Sequence, residues 1–190
     1  MKKSNKLFFL LFYNPQILFI LTYKEIFMQL HDEINQFIRE CKSIMISSLN
    51  LNNQTICSYT PIIKNKNDFY IYISEIAEHF EGVNYNNKNI EIMFIEDEKD
   101  CISIFARKRL KFRVESVEIT RDNQLFEQVL NTYENEDNKE IIQVIKNMQD
   151  FHLFQLILKN GRYVKGFGKA YEINEGTINL INSKGHKYSR

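Results

Sequence analysis

The chain has 190 residues, 44% of them hydrophobic and 13% aromatic, with 15 Phe and 10 Tyr; this suffices for one domain with a real core and is too apolar for a disordered one. Lys and Arg number 25 against 24 Asp and Glu, so no whole-molecule field draws the protein to nucleic acid or to an acidic membrane surface, and an anionic partner must be met by a local patch. Cys41, Cys57 and Cys101 stand far apart without paired spacing, which reads as free thiols in a reducing, cytoplasmic compartment rather than a disulfide scaffold or zinc knuckle.

Lys2, Lys3 and Lys6 precede an apolar run at 7–13, and a second run, 17–23, follows Asn14-Pro15-Gln16. Each is far shorter than the roughly 20 residues of a spanning helix, Pro15 interrupts them, and no small-x-small cleavage site follows. The expectation is therefore a functional start at Met28, with 1–27 outside the fold, 28–190 as one domain and no stable membrane insertion; a membrane anchor and a native extension are the alternatives.

Leu30, Ile34, Phe37, Ile38 and Cys41 recur at spacings of three and four and predict an amphipathic helix over 30–41. Residues 43–49 and 55–60 read as a hairpin, and 69–73 as a third strand. Ile76, Ala77 and Phe80 predict a short helix ended by Gly82. Strands are expected at 89–95 and, at greater length, from 101 to about 120. Helical patterns cover 124–133 and 139–148, with an acidic turn at 134–137. Strands 151–159 and 162–173 flank Asn160-Gly161, a strong hairpin signal. Residues 177–181 could add a last strand, and the polar tail 182–190 is expected to be mobile. Short strands with hairpin links predict a mainly β chain with some α: an antiparallel Greek-key barrel of six to seven strands with peripheral helices.

The most informative stretch is Ile104-Phe105-Ala106-Arg107-Lys108-Arg109-Leu110-Lys111-Phe112-Arg113-Val114. Alternation along a strand puts Arg107, Arg109, Lys111 and Arg113 on one face and Leu110, Phe112 and Val114 on the other. Successive charges stand about 6.7 Å apart, suited to separated anionic groups such as propionates or phosphates. The same pattern also describes a solvated face paired with the acidic residues of 91–98. The apolar set changes parity between Val114 and Val117, which predicts a β-bulge near Glu115. Glu96-Asp97-Glu98 reads as a charged turn rather than a metal site, and Gly166-Phe167-Gly168-Lys169 as a strand feature permitting close backbone approach. His152 reads as structural.

Ser58-Tyr59-Thr60-Pro61, Phe69-Tyr70-Ile71-Tyr72-Ile73-Ser74-Glu75-Ile76-Ala77-Glu78-His79, Met93-Phe94-Ile95-Glu96-Asp97-Glu98, Ile104-Phe105-Ala106-Arg107-Lys108-Arg109-Leu110 and Gly161-Arg162-Tyr163-Val164-Lys165-Gly166-Phe167-Gly168-Lys169-Ala170 resemble, in order, the HugZ/HutZ haem-utilisation family. That family belongs to the pyridoxamine 5'-phosphate oxidase-like, FMN-binding split β-barrels. The resemblance spans most of 30–186 and leaves 1–27 uncovered. It implies a homodimer that binds haem between subunits and opens it with dioxygen and electrons from an unidentified donor, releasing iron. It also implies His186, in Gly185-His186-Lys187, as the axial iron ligand and Arg107 as a hydrogen-bond donor to iron-bound dioxygen. Arg109, Lys111 and Arg113 become candidates for propionate contacts. His79 is a candidate contact at the site through a carboxylate such as Asp150 across the dimer, or a helix-end histidine. An FMN-dependent oxidoreductase on the same barrel and a non-catalytic haem carrier are the rival readings.

Overall fold

The structure, a computed structural model, describes residues 15–135, 138–166, 168–174 and 177–181, with side chains from residue 24 onward. The chain divides after Glu40 into two compact units. The first contains helix α1, Pro15–Glu40. Pro15 does not break it: it occupies the first helical position, where its missing N–H has no intrahelical partner to lose. The helix predicted over 30–41 is the end of this longer one, which runs through Met28 without interruption and buries Leu30, Ile34, Phe37 and Ile38. Among the described residues no helix is long and apolar enough to cross a membrane.

The second unit is built on nine antiparallel strands: β1 (Ser43–Leu49), β2 (Thr55–Pro61), β3 (Ile63–Asn65), β4 (Asp68–Ser74), β5 (Ile90–Ile95), β6 (Arg109–Ile119), β7 (Phe151–Gly166), β8 (Lys169–Asn174) and β9 (Thr177–Leu180). The hydrogen-bonded path runs β2-β1-β5-β6-β7-β4-β3. Its two end strands are a single segment bent at Ile62, so the path curls round into a six-walled barrel. With β2 and β3 counted as one wall, β5 lies beside β1, the return of a Greek key. The six to seven predicted strands become nine because this wall is bent and because β8 and β9 extend from β7 outside the ring.

Alternation builds the interior. Ile44 and Ile46 of β1, Ile90, Ile92 and Phe94 of β5, and Leu110, Phe112 and Val114 of β6 are buried at every second position, as a pleated strand with one apolar face requires. On β4, both faces are covered. Tyr70 and Tyr72 pack, with Ile63, Ile119 and Leu153, against Phe126, Val129 and Leu130 of helix α3 (Gln124–Tyr133). Asn123 caps that helix by accepting from Leu125 N–H at 2.9 Å.

Helix α4 (Lys139–Lys146) is tied at its C-terminal end by Arg121, which donates to the Lys146 carbonyl at 2.8 Å and to the Phe151 carbonyl at 3.0 Å. Those carbonyls are the unpaired acceptors that a helix end and a strand start leave.

Four local expectations are corrected. The short helix is α2, Phe80–Tyr85, and Gly82 lies inside it: a Cβ there would stand 2.4 Å from Ser48 Oγ and 2.8 Å from the Leu49 carbonyl, so close approach to β1 demands glycine. Residues 104–106 form a 3₁₀ turn, and β6 starts only at Arg109. The bulge expected near Glu115 falls just before it and on the partner strand. The β6 side chains keep their alternation through buried Ser116 while Val117 is exposed, and the register shift lies opposite, between Phe112–Gly161 and Val114–Leu158, which places the extra residue on β7. Asn160-Gly161 makes no hairpin; β7 continues through it. The turn comes at Gly166–Lys169, where Gly168 adopts φ +72°.

Candidate functional site

Because Leu110, Phe112 and Val114 fill the barrel, Arg109, Lys111 and Arg113 are turned to its outer surface. Neighbouring strands extend this face in register. Met93 of β5 stands beside Lys111 and Glu91 beside Arg113; across β7, Arg162 stands beside Lys111 and Val164 beside Arg109. Ala170 of β8 pairs in turn with Val164.

Over this face lies a cavity of about 440 Å³ whose cations are Arg109, Lys111, Arg162 and Lys169. Its apolar lining comes from Met93, Val164, Ala170 and Ile181, with Phe105 of the 3₁₀ turn, 86% exposed. Ile181 is fixed by its N–H donating to the Ala170 carbonyl at 2.8 Å. No carboxylate is among the described lining residues. Lys111 Nζ reaches Glu91 Oε1 at 2.7 Å, and Arg109 Nη1 donates to the Arg107 carbonyl at 3.0 Å. For Arg109, Arg162 and Lys169 no ion pair occurs among the described residues. The surface thus interleaves cations with apolar side chains, Met93 in the row of Lys111 and Arg162 and Val164 beside Arg109, a form that suits a flat amphiphile carrying carboxylates or phosphate.

Arg107 lies ahead of the strand and outside the row. Its Nε donates to the Glu96 carbonyl at 2.5 Å and its Nη1 to Glu98 Oε1 at 2.9 Å, with the side chain 21% exposed. It does not line the cavity. Together with Lys111–Glu91, this realises part of the bland pairing with 91–98. Arg113 is exposed and, with Glu91 and Glu172, borders a smaller cavity of about 220 Å³ that shares Lys111 and Arg162 with the first.

His79 immediately precedes α2 and is 3% exposed, with neither ring nitrogen hydrogen-bonded among the described residues. Burial pushes its pKa down, against the opposing pull of Glu78. Within the chain, Asp150 accepts from Ser74 Oγ at 2.7 Å. His186 lies outside the described residues. Among those described, no group of three or more His, Cys, Asp or Glu is placed to hold a metal ion.

Arg162 and Lys169 were missed in the sequence. Expecting a turn at 160–161 hid the continuity of β7 that sets Arg162 against Lys111. A basic residue two positions before Val164 was the available signal.

The pyridoxamine 5'-phosphate oxidase model matches residues 30–165. The chain belongs to this family. Within it, the chain is 34% identical over 161 residues to a Vibrio cholerae protein named heme oxygenase HutZ, covering 84% of this chain and 90% of that one. Among solved structures of the family, Campylobacter jejuni ChuZ superposes with a TM-score of 0.79 at 38% identity, covering 86% of this chain and 66%, just under two thirds, of that chain. A structure of Vibrio cholerae HutZ described as a heme storage protein gives 0.62 at 34% identity, over 67% of this chain and 89% of that one. The split-barrel reading and the likeness to HutZ drawn from the sequence motifs hold.

Proposed function

We propose that this chain binds haem on the cationic face of β5–β8 and degrades it, as a cytoplasmic homodimer, to release iron for use. The observation that carries the reading is the cavity itself, lined by four cations and by apolar side chains, with no carboxylate among its described lining residues. A porphyrin has the matching chemistry: a broad apolar ring with its propionates together on one edge. The name heme oxygenase HutZ supports the same reading.

Arg109, Lys111 and Arg162 hold the carboxylates, with Arg113 at the next position of the row. Bound haem supplies an iron that activates dioxygen once a donor delivers electrons. His186, from the tail, is the proposed axial ligand. Arg107 is the proposed donor on the oxygen side, and to serve there its guanidinium must leave Glu98. His79, buried and outside the cavity, takes no direct part in this reading.

Two rivals stay in play for stated reasons. The name heme storage protein favours carriage without turnover, and the family model favours a flavin phosphate on the same cations.

Titration with haemin, followed by a reductant in air, separates the three. The expected result is a Soret band that decays under reductant. Arg107→Ala should keep the band and slow its loss by about ten- to a hundredfold, the worth of a hydrogen bond to a charged group; His186→Ala should shift it. A Soret band stable to reductant would indicate a carrier, and yellow-green fluorescence with no haem uptake would indicate the flavin protein.

A further inference from the structure

We infer that the cavity recognises a tetrapyrrole by its two carboxylates rather than by its iron, with Lys111 and Arg162 as the principal clamp, so that metal-free porphyrins and open-chain tetrapyrroles compete for the same site. The inference rests on the haem reading above and goes beyond it by specifying what the site selects.

Lys111 and Arg162 face each other directly across the β6–β7 ladder. In an antiparallel pair such residues have Cα atoms about 4.5–5.5 Å apart, and like charges so placed destabilise the sheet. Two carboxylates flank this pair: Glu91, which bonds Lys111, and Glu172, which stands opposite Arg162 across the β7–β8 ladder without forming an ion pair with it among the described residues. Arg162 and, two residues along β6, Arg109 make no ion pair among the described residues, on a strand framework that holds them in place. A carboxylate between Lys111 and Arg162 relieves that repulsion and gains charge-assisted hydrogen bonds.

The second cation cluster, Arg109 with Lys169, borders the same cavity. Two separate clusters suit two separate anionic groups, as on neighbouring pyrrole rings. A flavin mononucleotide brings a single phosphate and leaves one cluster unanswered. The apolar side chains of the lining, Met93, Val164, Ala170, Ile181 and Phe105, offer contact to a ring. None of these features addresses a metal. Ring opening leaves both carboxylates in place, so an open-chain product retains the groups that the clamp holds and competes with fresh substrate.

The probes are protoporphyrin IX, its dimethyl ester and biliverdin, read by porphyrin fluorescence and by displacement, with haemin binding measured in parallel. Protoporphyrin IX is expected to bind within about tenfold of haemin, and biliverdin to displace it. The diester should bind at least about tenfold more weakly, the loss of one charged hydrogen bond. Arg162→Gln should weaken the diacid by about ten- to a hundredfold and leave the diester unchanged, so the diester serves as the control for folding; Arg162→Lys should restore part of the loss.

Haemin binding without protoporphyrin binding would overturn the inference while leaving the proposed function intact, because iron ligation would then hold the ligand. Equal affinity for diacid and diester would overturn the clamp. FMN binding with no tetrapyrrole binding would overturn the proposed function, and the inference with it.

Discussion

The two nitrogens of His152 each face a carboxylate, Glu118 at 2.7 Å and Glu75 at 2.9 Å, which uses two N–H groups and so favours the imidazolium. Desolvation lowers its pKa, but the two glutamates together outweigh it and the net shift is upward. His79 is the opposite case, buried with no hydrogen-bond partner among the described residues and shifted downward by desolvation. The consequences for stability have opposite signs. The His152 contribution is fully present below the unfolded value near 6.5 and fades as pH rises through its raised folded pKa. The neutral His79 destabilises the fold as pH falls from about 6.5 towards its depressed folded pKa, because the unfolded chain takes the proton first. His152→Gln should therefore cost most stability below pH ~6.5 and progressively less above it. His79→Phe should gain on wild type as pH falls, removing two buried nitrogens that lack partners at roughly 1–3 kcal/mol for such a group. Urea midpoints between pH 5 and 8 measure both; parallel curves for wild type and variants would refute the assignment.

Along β7, one glycine lies inside the strand where the neighbouring strand leaves no room for a side chain. A Cβ on Gly161 would stand 2.4 Å from Phe112 Cδ1 and 2.7 Å from the Lys111 carbonyl, so the residue answers to a ring and a backbone far away in sequence. Gly161→Ala should lose about 1–3 kcal/mol, the range for overpacking, and Phe112→Leu in the same chain should recover part of it as a non-additive coupling. A denaturation midpoint unchanged by Gly161→Ala would refute this packing. The same glycine shows why element boundaries were partly illegible. Strands with one buried face, such as β1, β5 and most of β6, were readable because alternation is a local signal. The identity of Asn160-Gly161 as strand, of Gly82 as a helix interior residue and of Arg162 as a site residue depends on partners outside any sequence window. At the site, Arg109, Lys111 and Arg113 were legible from parity. Arg107 was not, since the 3₁₀ turn at Ile104–Ala106 breaks the alternation just before it.

At the scale of the molecule, β7 holds the architecture together. Its first part lies between β6 and β4, and its later part between β6 and β8, so one strand serves both the barrel and the cationic face. The pairing of β4 with β7 sets Tyr72 against Leu153, partners that the chain can unite only after closing a very long loop. Loop-closure entropy must then be met before that ladder contributes anything. The β5–β6 ladder, with Ile95 opposite Arg109, and the β7–β8 ladder around Gly166–Lys169 are local and can form early. The chain should accordingly fold on the slow timescale of non-local β proteins, on the order of milliseconds to seconds, with amide protection in pulse-labelled refolding arising at 90–95 and 161–173 before 69–74. During that interval the cavity-lining hairpins exist without a closed barrel behind them, and a growing chain released from synthesis would present paired basic edges to its surroundings before its interior is sealed.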